Sequence, residues 1–180
     1  MSFVFVATAM LSHGPLPTYQ ETCVVELASQ VHEMALTEYR KFPVARALTL
    51  SWAAVHAGRK YDIDPMLLLS ISWWESRWKP EAKGDGGRSY GAFQMQRSAL
   101  KATGLGWEHD RLLNVYLSFW AGAAFLDRLR SKWPGHELPV YGAGMAGRRM
   151  DNTRGGRWKL RRAAEMRREH QCDGGVERSE

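Results

Sequence analysis

Residues 64–78 read Asp-Pro-Met-Leu-Leu-Leu-Ser-Ile-Ser-Trp-Trp-Glu-Ser-Arg-Trp, and the fold turns on this stretch. Asp64 has the chemistry of a helix N-cap, and Pro65 at the first helical position presets φ without bringing an amide that would go unpaired. The helix they open, Met66 to about Trp78, is apolar almost all round, the mark of a helix enclosed by protein. Near its end stands Glu75, flanked by Trp73, Trp74 and Trp78. Apolar surroundings strip hydration from a carboxylate and raise its pKa. A glutamic acid tuned in this way can hold a proton near neutral pH and give it to a departing oxygen, the task of a general acid in glycosidic cleavage. A boundary glutamate that points into solvent at a helix end leaves the same trace in sequence.

Helical periodicity extends in both directions. Residues 18–42 place Val24, Leu27, Val31, Met34 and Ala35 three and four apart. Pro43 suits a fresh helix start, and Val44, Ala47, Leu48, Trp52 and Val55 continue on one face until Gly58. Beyond the central helix, Lys79–Tyr90 (KPEAKGDGGRSY) is a tightly turning loop. Gly91–Thr103 is patterned as a helix. Asp110 is placed to cap an amphipathic helix running to about Trp133, with Leu113, Leu117, Trp120, Ala124 and Leu129 among its apolar positions, and Pro134-Gly135 ends it. Residues 139–147 (PVYGAGMAG) are small and glycine-rich, and a basic helix is expected from Gly156 to Arg168. With strand signals nearly absent, the fold class is all-α. The expected organisation is a helical extension over 1–42, a catalytic domain over 43–147, and a basic helix and tail over 148–180.

The chain has 180 residues, 44% hydrophobic and 24% charged, enough to bury a core without metal or disulfide staples. Its two cysteines, Cys23 and Cys172, lie at opposite ends, and no His or Cys partner sits at zinc-ligand spacing. A disulfide-dense scaffold is excluded, no metal site is expected, and a single bridge between the two cysteines stays open. No apolar run reaches the roughly 18 residues a spanning helix needs. The start, MSFVFVATAML, is apolar but lacks a positive n-region and a small-residue cleavage site before Pro15, so it is not read as a secretion signal. The net charge of +6 is uneven. Arg148–Arg168 holds nine Arg or Lys against two acids, and the other residues hold sixteen bases against seventeen. Such a segment seeks an anionic partner, whether nucleic acid, membrane surface or acidic wall polymer, or is a solvated helix face.

The runs Tyr61–Leu68, Glu75-Ser76-Arg77-Trp78-Lys79-Pro80-Glu81-Ala82 and Gly91-Ala92-Phe93-Gln94-Met95 together resemble the soluble lytic transglycosylases, a family of lysozyme-like peptidoglycan-cleaving enzymes. Their motif runs Glu-Ser, an aromatic, Pro, Ala, then Gly-Leu-Met-Gln, and the resemblance covers roughly residues 60–145. It implies a lysozyme-like helical domain with Glu75, near the end of the central helix, as sole catalytic acid/base. It makes Ser76 a residue that holds substrate or orients the acid, and Gln94 a glycan contact. The later Ala-Tyr-Asn-Ala-Gly element is matched by Val140-Tyr141-Gly142-Ala143-Gly144. This implies that Tyr141 sits beside Glu75, while Gly142 stands where the family has asparagine. No metal or cofactor is implied, and the partner is the peptidoglycan glycan strand at the bacterial cell wall, reached in the periplasm or by delivery from a virion. Phage-particle or secretion-machine components are possible further partners.

The loop Gly84-Asp85-Gly86-Gly87-Arg88-Ser89-Tyr90-Gly91-Ala92-Phe93-Gln94 also resembles the goose-type lysozymes, which implies that Asp85 positions an attacking water. Their second aspartate after the glutamine is missing here, where Gln96 and Arg97 stand. Inverting hydrolysis needs a second carboxylate to activate water, whereas a lytic transglycosylase uses the sugar's own 6-hydroxyl. Asp85 is equally read as a turn former whose carboxylate bonds nearby groups. Eight tryptophans leave Trp74, Trp78, Trp107, Phe93 and Tyr90 as candidates for the walls of a glycan groove, although aromatics at helical spacing are more often core. A binding protein that uses Arg148–Arg168 on nucleic acid is the reading from another class, and it ranks last because Trp158 is the segment's one aromatic and no recognition motif accompanies it.

Overall fold

The computed structural model describes residues 19–132. In chain order they form α1 (Tyr19–Glu38), α2 (Val44–Tyr61), α3 (Pro65–Ser76), three two-residue strands, β1 (Lys83–Gly84), β2 (Ser89–Tyr90) and β3 (Met95–Gln96), then α4 (Arg97–Ala102), a 3-10 turn (His109–Leu113) and α5 (Val115–Lys132). The domain is all-α in class. Pro134-Gly135, the glycine-rich stretch 139–147, Tyr141, the basic segment 156–168 expected to be helical, Cys172 and the apolar start lie outside the described residues. Cys23 is buried on α1.

The helices pack in succession, α1 on α2, α2 on both α3 and α5. Leu27 and Val31 of α1, Leu50 of α2, Leu68, Leu69 and Ile71 of α3, and Phe119 and Leu126 of α5 share one fully buried cluster. α3 starts as its sequence dictates: the Asp64 carboxylate accepts from the Met66 amide at 2.8 Å, and Pro65 takes the first position. Met66–Trp73 are all buried, so α3 is the enclosed helix. α5 is a second interior helix, since every residue from Ala121 to Leu126 is buried. Arg130 of α5 closes the end of α2, donating to the carbonyls of Tyr61 (2.8 Å) and Asp62 (2.7 Å), and so supplies the cation that the negative end of a helix favours.

Three local expectations are corrected. The central helix stops at Ser76 instead of Trp78, because Arg77 (φ 55°) and Trp78 (φ 57°) both adopt the left-handed conformation. Gly91–Thr103 is not one helix. It divides into a turn, β3 and α4, and at Gly91 (φ 79°) any Cβ would meet the Leu112 carbonyl. Only glycine can hold that backbone against the 3-10 turn. Asp110 lies inside the 3-10 turn, and the cap of α5 is Asn114, whose Oδ1 accepts from the Leu117 amide at 3.2 Å.

The strands pair antiparallel in the order β1-β2-β3, with Lys83 opposite Tyr90, Gly84 opposite Ser89, and Tyr90 opposite Met95. Two-residue strands are too short to show alternation, so nothing in the sequence marks them. Their effect is to fold the glycine-rich loop back against the end of α3.

Candidate active site

Glu75 occupies the last turn of α3 and is half-buried. Two of the indoles near it in sequence belong to the core. Trp73 and Trp78 pack on each other with centroids 4.5 Å apart, and both are interior, Trp78 completely so. Two residues along a helix turn the side chain by about 200°, so Glu75 leaves α3 on the side away from Trp73. Trp78 is therefore core, its Nε1 donating to the Leu69 carbonyl at 2.9 Å, and it offers no face to a sugar. Trp74 is half-buried beside the Arg77 guanidinium, whose carbon lies 5.7 Å from its ring centroid. That guanidinium also donates to the Trp73 and Trp74 carbonyls at 3.0 and 3.4 Å and closes the helix end.

Ser76 is buried and works as a tie. Its hydroxyl proton is shared between the Ala92 carbonyl (2.9 Å) and the Ser72 carbonyl (3.1 Å), while its oxygen accepts from the Lys79 amide (3.1 Å). The residue next to Glu75 thus fixes the end of α3 to the turn Gly91–Gln94.

Gln94 closes that turn from the other side. It takes a left-handed backbone (φ 46°), and Nε2 spends both protons on the carbonyls of Ala82 (3.1 Å) and Gly91 (2.9 Å). Its Oε1 fills the space where a Cβ on Gly84 would stand, which gives the spacing from Gly84 to Gln94 a direct packing cause. Gln94→Leu is expected to cost about 2–4 kcal/mol, since it removes two hydrogen bonds and strands carbonyls of a partly buried turn. Urea unfolding measures this.

Asp85 (φ 51°), Gly86 (φ 64°) and Gly87 (φ 83°) form a run of left-handed residues between β1 and β2, a conformation aspartate tolerates better than most side chains. The Asp85 carboxylate accepts from the Ser89 hydroxyl, and its carbonyl accepts from Arg88 Nε at 2.9 Å. Its bonds therefore lie within its own turn. The other loop acid, Glu81, faces Arg46 at 3.4 Å.

Tyr90 is half-buried, its ring stacked on His109 with centroids 4.2 Å apart and with Lys83 Nζ 5.0 Å from its centroid. His109, which the sequence reading passed over, is 5% exposed, and its Nε2 lies 2.7 Å from the Met95 carbonyl. A carbonyl can only accept, so Nε2 carries the proton. Phe93 is the clearest correction: it is fully buried, edge-on to Phe119 at 5.0 Å and pressed against Gly122, so it is core and no groove wall. Trp107 is partly buried against the core.

The structure thus ties the end of α3, which carries Glu75 and Ser76, to the folded-back loop that carries Asp85 and Gln94, whereas Tyr141 lies outside the described residues. Among those residues no three His, Cys, Asp or Glu side chains cluster as a metal site, and no helix is long and apolar enough to cross a membrane.

The family model of the transglycosylase SLT domain matches residues 53–166. The chain belongs to this family. No curated protein matches it. The matched part of the SLT domain starts within α2 and takes in α3, the three strands and α5, so Glu75, Ser76, Asp85 and Gln94 all fall inside it, while α1 and the first half of α2 precede it. Membership makes the protein a lysozyme-like domain of the lytic transglycosylase type, acting on cell-wall peptidoglycan.

Proposed function

We propose that this SLT domain cleaves the β-1,4 bond between N-acetylmuramic acid and N-acetylglucosamine without consuming water, with Glu75 as its single acid/base. Glu75 protonates the bridging oxygen, the C1–O bond breaks, and positive charge gathers on the sugar ring. The muramyl 6-hydroxyl then attacks C1 and gives its proton to Glu75, which leaves a 1,6-anhydro end and restores the acid. Holding the 6-hydroxyl against C1 makes ring closure intramolecular, which removes much of the entropic barrier.

The observation that carries this reading is the engagement of Asp85. The hydrolytic alternative, a goose-type muramidase, needs a second carboxylate to activate water from the opposite sugar face, about 6.5–9.5 Å from the acid. Asp85 is the loop acid to which the goose-type resemblance assigns that work, and one oxygen of its carboxylate accepts from Ser89 in its own turn, a turn-forming use of the group. Ser76 and Gln94 act in this scheme by fixing the wall of the site next to Glu75, through their backbone bonds.

Mass spectrometry of a purified peptidoglycan digest tests it. Muropeptides with 1,6-anhydromuramyl ends are the expected product. Reducing ends, heavier by one water, would overturn the transglycosylase reading in favour of the muramidase.

A further inference from the structure

The end of α3 is held from outside the matched family region. After Ser76 the chain passes through two consecutive non-glycine left-handed residues, Arg77 and Trp78, a conformation that persists only when its surroundings impose it. The carbonyls of these same two residues are both taken by side chains from upstream. The Tyr39 hydroxyl donates to the Arg77 carbonyl at 3.1 Å, and the Arg46 guanidinium donates to the Trp78 carbonyl at 2.9 Å. The two anchors are themselves braced. Tyr39 stacks on Phe42 at 6.0 Å and meets Trp73 edge-on at 6.2 Å, and Arg46 lies over the Phe42 ring at 5.6 Å. Phe42 in turn packs on Trp78 at 6.1 Å.

We propose that Tyr39 and Arg46 are positioning residues for Glu75, a clamp on the double left-handed turn that sets where the carboxyl points. Glu75 is two residues from Arg77, so relaxing this turn toward ordinary helix would rotate the last turn of α3 and unseat Ser76 from Ala92. The Arg46–Glu81 pair is exposed and weak, so the bond to the Trp78 carbonyl is what matters in Arg46. Burial pushes the Tyr39 phenol above its ordinary value, with Arg46 and Arg77 opposing; the hydroxyl therefore keeps the proton it donates at neutral pH. Both anchors precede residue 53, where the family match begins. The segment from the end of α1 into α2 is thus part of the catalytic machinery as well as part of the core.

This proposal rests on the assignment of Glu75. It is tested by steady-state cleavage of soluble glycan fragments by full-length Tyr39→Phe, Arg46→Met and Arg46→Lys, with the melting temperature of each. Tyr39→Phe keeps the ring packing and removes one donor; Arg46→Lys keeps a donor and loses the fork. The expected result is a kcat about three- to tenfold lower in Tyr39→Phe and Arg46→Met, since small misplacements of a catalytic group are costly. KM should stay within about twofold, with melting temperatures lowered by a few degrees at most, each variant fully folded at the assay temperature, and partial rescue in Arg46→Lys. Wild-type kcat in Tyr39→Phe and Arg46→Met, or a loss explained by the unfolded fraction, overturns the clamp. Glu75→Gln, run alongside, separates the two ideas. If it is inactive while the anchor variants turn over normally, only the clamp falls; if it turns over normally, the Glu75 assignment falls first.

Discussion

Trp78→Ala is expected to destabilise the domain by about 3–5 kcal/mol, the usual cost of emptying a fully buried tryptophan site. The indole is completely enclosed, packs on Trp73 and Phe42, and donates to the Leu69 carbonyl. Domains of this kind are stable by only about 5–15 kcal/mol, so the variant loses a large share of its margin. The measurement is the urea or thermal midpoint. The contrast with a sugar platform is sharp. Had Trp78 lined a glycan groove, its removal would raise KM and leave the unfolding midpoint almost unchanged.

How much was legible in sequence depends on whether a residue's partners are near it in the chain. The start of α3 was fully readable because an Asp-Pro cap acts over three residues, and Asp64 does bond the Met66 amide. The enclosed character of α3 was readable too, because it needs no partner to be named. The end of α3 was not. It depends on Tyr39 and Arg46, roughly 32 to 38 residues upstream, and on left-handed backbone at two residues that are not glycine. The core position of Phe93 was hidden for a related reason. A motif places it beside Gln94, but its burial comes from Phe119 and Gly122 on α5. Likewise, nothing local says that Gln94 uses its amide on the Ala82 and Gly91 carbonyls, or that His109 will stack under Tyr90. Asp85 shows the opposite case: its turn-forming alternative needed only Ser89, four residues away, and that bond is present.

Glu75→Gln is expected to lower the cleavage rate by at least about 10²–10⁴, the usual contribution of general acid-base catalysis, or about 3–5 kcal/mol in barrier. The loss should fall on kcat. Glutamine keeps the volume and the hydrogen-bonding reach of the side chain, so substrate should still bind. It has no proton to transfer to the bridging oxygen and no charge with which to take one from the 6-hydroxyl, so both halves of the proposed reaction fail together. Stability should hardly change, because Glu75 is half-buried at a helix end and glutamine has almost the same helix propensity.

The most direct test of the central claim is therefore a zymogram in purified peptidoglycan, with wild type and Glu75→Gln run side by side after circular dichroism has shown equal folding. The account predicts a cleared band for wild type and none for the variant. Equal clearing by both would contradict it, because the carboxyl at the end of α3 would then not be the proton donor.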